Sequence, residues 1–275
     1  MRNEIALLSD LVEIKSYSGD EERLAVFITD WLKARSIDAF RQDGNVVAKI
    51  GGRDNSRAFI LNSHMDTVVA DAKWSRDPFK ATVEGNLLYG LGSCDMKGGL
   101  TASLLLAEKF TGKVPPVDMW FTYVVREETD GKGSQDFAEW FSENAQGSYK
   151  DIAAIFTEPS KLTDIEHGHR GNIFVEAIGE GGSGHASRPS KLVSHSVRTM
   201  IAFSDDLQRA FEKWRSEFPS DIFEPPTVGE MTSISAGLEI STDLTSPKLY
   251  LDLQTNFLLS VLPHLMSGPS PDFMK

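Results

Sequence analysis

Apolar positions change period along the chain, and the changes mark the elements. In EIALLSDLVEI (residues 4–14) apolar residues recur at three- and four-residue spacing, which predicts a helix. SGDEERLAVFITDWLKARS predicts a second helix, with Ser18 as its cap and acids in its first turn. AFRQDGNVVAKIGG reads as a hairpin turning at Asp43-Gly44. RAFILNSHMD, VDMWFTYVV and DIAAIF are continuous apolar, β-prone runs, the pattern of strands buried on both faces. Between them, GGLTASLLLAEKF and GSQDFAEWFSENA return to helical spacing. Strands alternating with helices predict an α/β layer fold, a mixed, largely parallel sheet with helices on both faces.

The pattern changes near residue 169. RGNIFVEAIGEG alternates like a half-exposed strand, and SKLVSHSVRTMIAFSDDLQRAFEKWRSEF is one long amphipathic helix. TSISAG and KLYLDLQTN read as two more strands. This β-α-β-β order predicts a small α+β domain. The expected division is therefore 1–168 and 169–275, with a linker between His167 and His169.

Charge narrows the function classes. Among 275 residues, 28 basic side chains against 40 acidic ones leave a net charge of −12. That disfavours nucleic acid or an anionic membrane as partner, since both need clustered Lys and Arg. No apolar stretch approaches the ~20 residues of a membrane span, and the N-terminal residues lack a signal-peptide core. The lone cysteine, Cys94, excludes an intrachain disulfide and suits a reducing compartment. A cytoplasmic location is expected.

The three apolar strands all run into chemistry. The first ends at His64-x-Asp66, the second at Glu127 and Glu128, the third at Glu158; Asp95 sits in a turn entering a helix. Ligands of open α/β sheets bind beyond the carboxyl ends of strands, so these residues should share one cleft. Several unpaired carboxylates around one histidine would repel, and a divalent metal supplies the missing counter-charge. Imidazole with carboxylate suits zinc, and a shared carboxylate, most naturally Asp95, can bridge two zincs. With strand geometry, His64 and Asp66 point to one side, so Asp66 can orient the imidazole. Glu127 and Glu128 point differently. One can bind metal while the other takes a proton from water.

These residues lie in SHMDTV, WSRDPF, LYGLGSCDMKGG, REETDGKGS, TEPS and GHRGNIFVEAIGEGGSGHASRP. In that order the motifs resemble the co-catalytic zinc metallopeptidases that include acetylornithine deacetylase, succinyl-diaminopimelate desuccinylase and glutamate carboxypeptidase. The resemblance runs from about residue 5 to 255. It implies a zinc-peptidase-like catalytic domain with an inserted ferredoxin-like lid that also makes a homodimer. It implies hydrolysis of an amide bond in an N-acyl amino acid or small peptide, a small-molecule substrate. His64 and Glu158 would bind one zinc, Glu128 the other, and Asp95 would bridge them; cobalt is an alternative metal. Asp66 would orient His64. Glu127 would be the general base, and His185 would reach the partner's site to stabilise an oxyanion.

The resemblance also carries departures. The family's chain returns to the catalytic domain after the lid and supplies a final histidine ligand. Here the sequence runs out in TNFLLSVLPHLMSGPSPDFMK, where His264 lies in a different context and reads as a surface residue. The second zinc position is therefore expected to be incomplete and weakly occupied. The alternative function is a truncated, weakly active or inactive relative that binds metal or dimerises. Leu91 and Gln254 stand where the family often has arginine. GEGGSG (179–184) satisfies a dinucleotide-binding pattern, but the acid expected after a following strand is missing. Cys94 reads as packing rather than ligation.

Overall fold

The structure is a computed structural model, and it describes residues 3–161, 163–166, 168, 171–178, 196–218, 228–235 and 248–255. The chain divides into two compact units, Met1–Ile165 and Glu166–Lys275.

The first unit runs α1 (Asn3–Glu13), α2 (Glu22–Lys33), β1 (Ala39–Gln42), β2 (Asn45–Ile50), β3 (Asp54–His64), β4 (Thr82–Glu84), β5 (Leu87–Tyr89), α3 (Lys97–Lys109), β6 (Val117–Val124), α4 (Glu127–Asp130), α5 (Lys132–Asn144) and β7 (Asp151–Phe156). Five strands form one mixed sheet in the order β1-β2-β6-β3-β7. β6, β3 and β7 are parallel, while β1 and β2 form an antiparallel hairpin that pairs antiparallel with β6. The hairpin turns at Asp43 (φ 47°) and Gly44 (φ 92°), and two positive φ values are what a type I′ turn requires.

Period-2 alternation sends side chains of each central strand to opposite faces. Val46, Ala48, Leu61, Phe121 and Tyr123 pack beneath α2 and α3, whose Leu24, Ile28, Leu32, Leu100 and Leu104 are fully buried. Val47, Ile60 and Trp120 face the other way, against Phe137 and Phe141 of α5. Helices thus cover both faces. β4 and β5 form a separate two-stranded hairpin. With three residues each, they are too short for periodicity to reveal.

DIAAIF reads as a buried strand, and the structure corrects this. Among the described residues β7 is the edge of the sheet, with Ile155 51 % and Phe156 60 % exposed. An apolar run carries the same signal at an edge as at the centre, because position in the sheet is not a local property.

The second unit contains β8 (Gly171–Ile178), α6 (Ser196–Glu217), β9 (Val228–Ser235) and β10 (Lys248–Thr255). The strands form an antiparallel sheet in the order β8-β10-β9, and Met200 of α6 is buried against Ala177. No helix among the described residues is long and apolar enough to cross a membrane.

Candidate metal centre

Strand register explains why distant residues meet. His64 at the end of β3 is level with Val124 at the end of β6, and Asn62 is level with Phe156 of β7. The parallel strands therefore finish side by side. Glu127 and Glu128 follow Val124 by a few residues, and Glu158 follows Phe156 by two. Asp95 arrives from the turn before α3; its peptide bond with Met96 is cis. The start of α3 lies hard against the end of β7: a Cβ on Gly99 would sit 1.9 Å from the Thr157 carbonyl oxygen. Only glycine permits this approach, which brings the Asp95 turn beside Glu158.

His64 is the hub, 1 % exposed. Its Nε2 lies 3.1 Å from Asp95 Oδ1, 3.8 Å from Glu158 Oε2 and 3.9 Å from Glu127 Oε2. Nδ1 lies 2.9 Å from the backbone oxygen of Asp66 and 3.4 Å from its Oδ1. Two groups offer ligand atoms within 4.8 Å of one another: His64 with Glu127 and Glu158, and His64 with Asp95 and Glu128. The structure thus brings His64, Asp66, Asp95, Glu127, Glu128 and Glu158 to one place. His185, His264 and the GEGGSG segment lie outside the described residues. Cys94 is exposed and belongs to neither group.

Asp66 has more partners than the sequence suggests. Its carboxylate accepts the backbone N–H groups of Glu127 (3.0 Å) and Glu128 (3.1 Å), the otherwise unpaired donors at the start of α4, and the Ser18 hydroxyl at 2.6 Å. Ser18 is therefore not the cap of α2, as its position suggests. The helix starts at Glu22, and Glu21 occupies the cap position without a side-chain cap bond. The hydroxyl is diverted to a buried carboxylate 48 residues away. Ser18-x-x-Glu21 matches the local capping pattern, so nothing in the sequence alone reveals this diversion. Lys97 was equally hidden. Buried at 1 %, it donates to the carbonyl oxygens of Leu11 and Ile14 at the end of α1, and burial lowers its ammonium pKa to about 8.

The electrostatics suit the binding of a cation. Burial alone would lower the His64 pKa, but hydrogen bonds to Asp66 and Asp95 and the Glu158 charge outweigh it, raising the pKa to about 10. Burial raises Glu158 to about 7; the nearby charges of Asp95, Glu127 and Glu128 push the same way, against His64. Burial and the Asp95 charge also raise Glu128. Asp66 stays low despite burial, because His64 and Ser18 hydrogen-bond to it. Among the described residues, the only ion pairs of Asp95, Glu127 and Glu158 are with His64. One imidazole among crowded, uncompensated carboxylates is a donor set that fits a divalent cation such as zinc.

Comparisons with known proteins agree with this fold. The sequence profile of Peptidase family M20/M25/M40 matches residues 60–252. A succinyl-diaminopimelate desuccinylase of Dinoroseobacter shibae is 30 % identical over 245 residues, which cover 84 % of this chain and 62 % of that protein. Succinyl-diaminopimelate desuccinylase 2 of a Ruegeria species is 29 % identical over 248 residues, covering 85 % and 60 %. The chain thus spans about three fifths of the length of these relatives. Among solved structures, an M20 family metallo-carboxypeptidase from Sulfolobus solfataricus superposes with TM-score 0.68 at 18 % identity, covering 97 % of this chain and 75 % of that one. Human carnosine dipeptidase 1 gives 0.68 at 14 %, covering 96 % and 72 %; both are likenesses of fold. With the profile spanning more than half of its residues, the chain belongs to peptidase family M20/M25/M40.

Proposed function

We propose that this chain is a metal-dependent hydrolase that cleaves an amide bond in an N-acyl amino acid or small peptide. The observation that carries the reading is the convergence of four carboxylates on His64 in two groups, His64 with Glu127 and Glu158 and His64 with Asp95 and Glu128, the ligand atoms of each group lying within 4.8 Å of one another. His64, Asp95, Glu128 and Glu158 would hold the metal, with Asp95 shared between two positions. Zinc is the metal best suited to imidazole with carboxylate. When bound, it polarises a substrate carbonyl and makes water acidic enough to react at neutral pH.

The chain's own residues supply the rest. The Glu127 side chain is 46 % exposed, so a substrate can reach it. Its carboxylate accepts a proton from the attacking water and returns it to the leaving amine. Asp66, fully buried, holds His64 on one side and the Glu127 backbone on the other. His185 would stabilise the developing oxyanion from a partner chain paired through residues 169–275, and light scattering tests that pairing. The desuccinylase names of the relatives make N-acyl amino acids the substrates to try first, with dipeptides beside them, in a cytoplasmic setting.

The deciding experiment combines metal content with turnover. Purified chain dialysed against low-micromolar zinc should retain metal and hydrolyse members of an N-acyl amino acid and dipeptide panel. Glu127→Gln should keep the metal and lower kcat by about 10²–10⁴-fold. An unchanged rate in Glu127→Gln removes the proposed base, and metal retention without any turnover leaves a metal-binding protein.

A further inference from the structure

The segment joining α1 to α2 runs along the carboxyl ends of the sheet. Thr67 N–H donates to the Ser16 carbonyl at 2.9 Å, Ser18 N–H donates to the Thr67 carbonyl at 3.3 Å, and Tyr17 and Thr67 form a parallel bridge. The Ser16 hydroxyl adds a bond to the Met65 carbonyl at 2.8 Å. This seat fixes the segment against the residues that follow His64.

From it two side chains reach inward. Ser18 Oγ donates to Asp66 Oδ2 at 2.6 Å. Glu21, only 5 % exposed, accepts the N–H of Gly19 at 2.9 Å and the N–H of Arg126 at 3.0 Å. Arg126 is the residue before Glu127. Its φ of 60° lies in the left-handed region that side-chain-bearing residues rarely enter without support. Three consecutive backbone N–H groups, of residues 126, 127 and 128, are thus held by two buried carboxylates, Glu21 and Asp66. Ser18 steadies the second of these.

We propose that Ser18 and Glu21 are positioning residues of the metal centre: together they fix the Arg126–Glu128 turn and the Asp66 carboxylate that faces His64. The proposal rests on the metallohydrolase reading above. Ser18 acts through Asp66, and Glu21 acts through Arg126. Without the Ser18 hydroxyl, Asp66 Oδ2 keeps a single hydrogen-bond donor, the Glu128 N–H. Without the Glu21 carboxylate, the Arg126 N–H loses its acceptor and the strained turn its anchor. Either change loosens the pair Glu127 and Glu128 relative to His64. A mere structural clamp would lower the melting temperature and leave metal affinity alone.

Zinc affinity, measured by competition with a chromophoric chelator, separates these. Ser18→Ala and Glu21→Ala should each bind zinc roughly tenfold more weakly than wild type, the lower end of what supporting residues of metal sites contribute. Ser18→Thr keeps the hydroxyl and Glu21→Gln keeps an acceptor oxygen, so both should stay within about threefold of wild type by the same reasoning. Zinc binding by both alanine variants within twofold of wild type overturns the proposal, whatever their melting temperatures. A Ser18→Thr chain as weak as Ser18→Ala overturns the hydroxyl's part. If one alanine variant does not fold, the other decides. A wild-type chain that binds no zinc sinks the metal reading itself, while one that binds zinc without turnover sinks only the hydrolase reading and leaves this comparison intact.

Discussion

Two strand ends meet at the candidate metal centre, and they are held very differently. β3 is central, flanked by β6 and β7; it ends in His64, Asp66 follows two residues later, and they are 1 % and 0 % exposed. Their polar atoms are tied to Ser18, Glu127, Glu128 and Asp95. β7 is an edge strand with exposed apolar side chains, and the Glu158 that follows it has a side chain 41 % exposed. The buried end sets geometry, because every alternative placement would strand a polar group away from water. The exposed end supplies charge that is poorly compensated and free to titrate.

The largest effect should come from attacking the buried end. Asp66→Ala removes the acceptor for two backbone N–H groups and the Ser18 hydroxyl, and with it the carboxylate 3.4 Å from His64 Nδ1, leaving that nitrogen only the backbone oxygen. Loss of one member of a buried charged network costs about 3–5 kcal/mol. Denaturant unfolding should show that loss, together with a fall in zinc affinity. Glu158→Gln at the exposed end should have the opposite sign in the metal-free chain. It removes a repelled carboxylate, so the melting temperature at pH 8 should rise slightly while zinc binding weakens. Equal losses of metal-free stability in the two variants would erase the distinction between the two ends.

Next in size is the contact between the two elements that carry Asp95 and Glu158. Gly99→Ala places a Cβ inside the Thr157 carbonyl. Overpacking of this kind costs about 1–3 kcal/mol, and the displaced β7 end should also weaken zinc binding. A variant as stable and as metal-avid as wild type would mean the edge strand yields without consequence.

A smaller effect should follow pH. Both His64 (about 10) and Glu158 (about 7) have pKa values raised above their ordinary ones. Each therefore favours folding in its protonated form, fully below the ordinary value and progressively less as pH rises through the raised one. The metal-free melting temperature should fall between pH 6 and 10. Zinc requires both groups deprotonated, so its affinity should rise over the same interval. At pH 7 His64 holds one proton and Glu158 about half of one, so zinc should release about one to two protons per chain in weak buffer. A pH-independent affinity would mean neither group is a ligand. The smallest effect is expected for Cys94→Ser. Its exposed thiol lies outside both ligand groups, so stability should change by no more than about 0.5 kcal/mol and metal content not at all.

Much of this is legible in the amino-acid sequence. Two strongly periodic helices, the Asp43-Gly44 hairpin and the two central strands carry local signals: spacing, turn residues, continuous apolar runs. His64, Glu127, Glu128 and Glu158 stand out because reactive side chains follow apolar strands three times over, and Asp95 because it sits in the glycine-rich turn that enters a helix. The misreadings share one cause. Ser18 has the local setting of a helix cap, and DIAAIF has the local setting of a buried strand; in both, the partner that decides the outcome lies far away in sequence.

The sequence by itself determined the element types, the α/β class and the roster of residues at the cluster, because periodicity and residue chemistry act over a few positions. Only the tertiary structure decided which strand is central and which is an edge. It also decided that Asp66 binds the start of α4 as well as facing His64, and that Gly99 must be bare to let α3 approach β7. The physical reason is register: sheet order and strand pairing are chosen by contacts between segments tens of residues apart. Those contacts, not local preference, set the distances at which one imidazole meets two separate pairs of carboxylates.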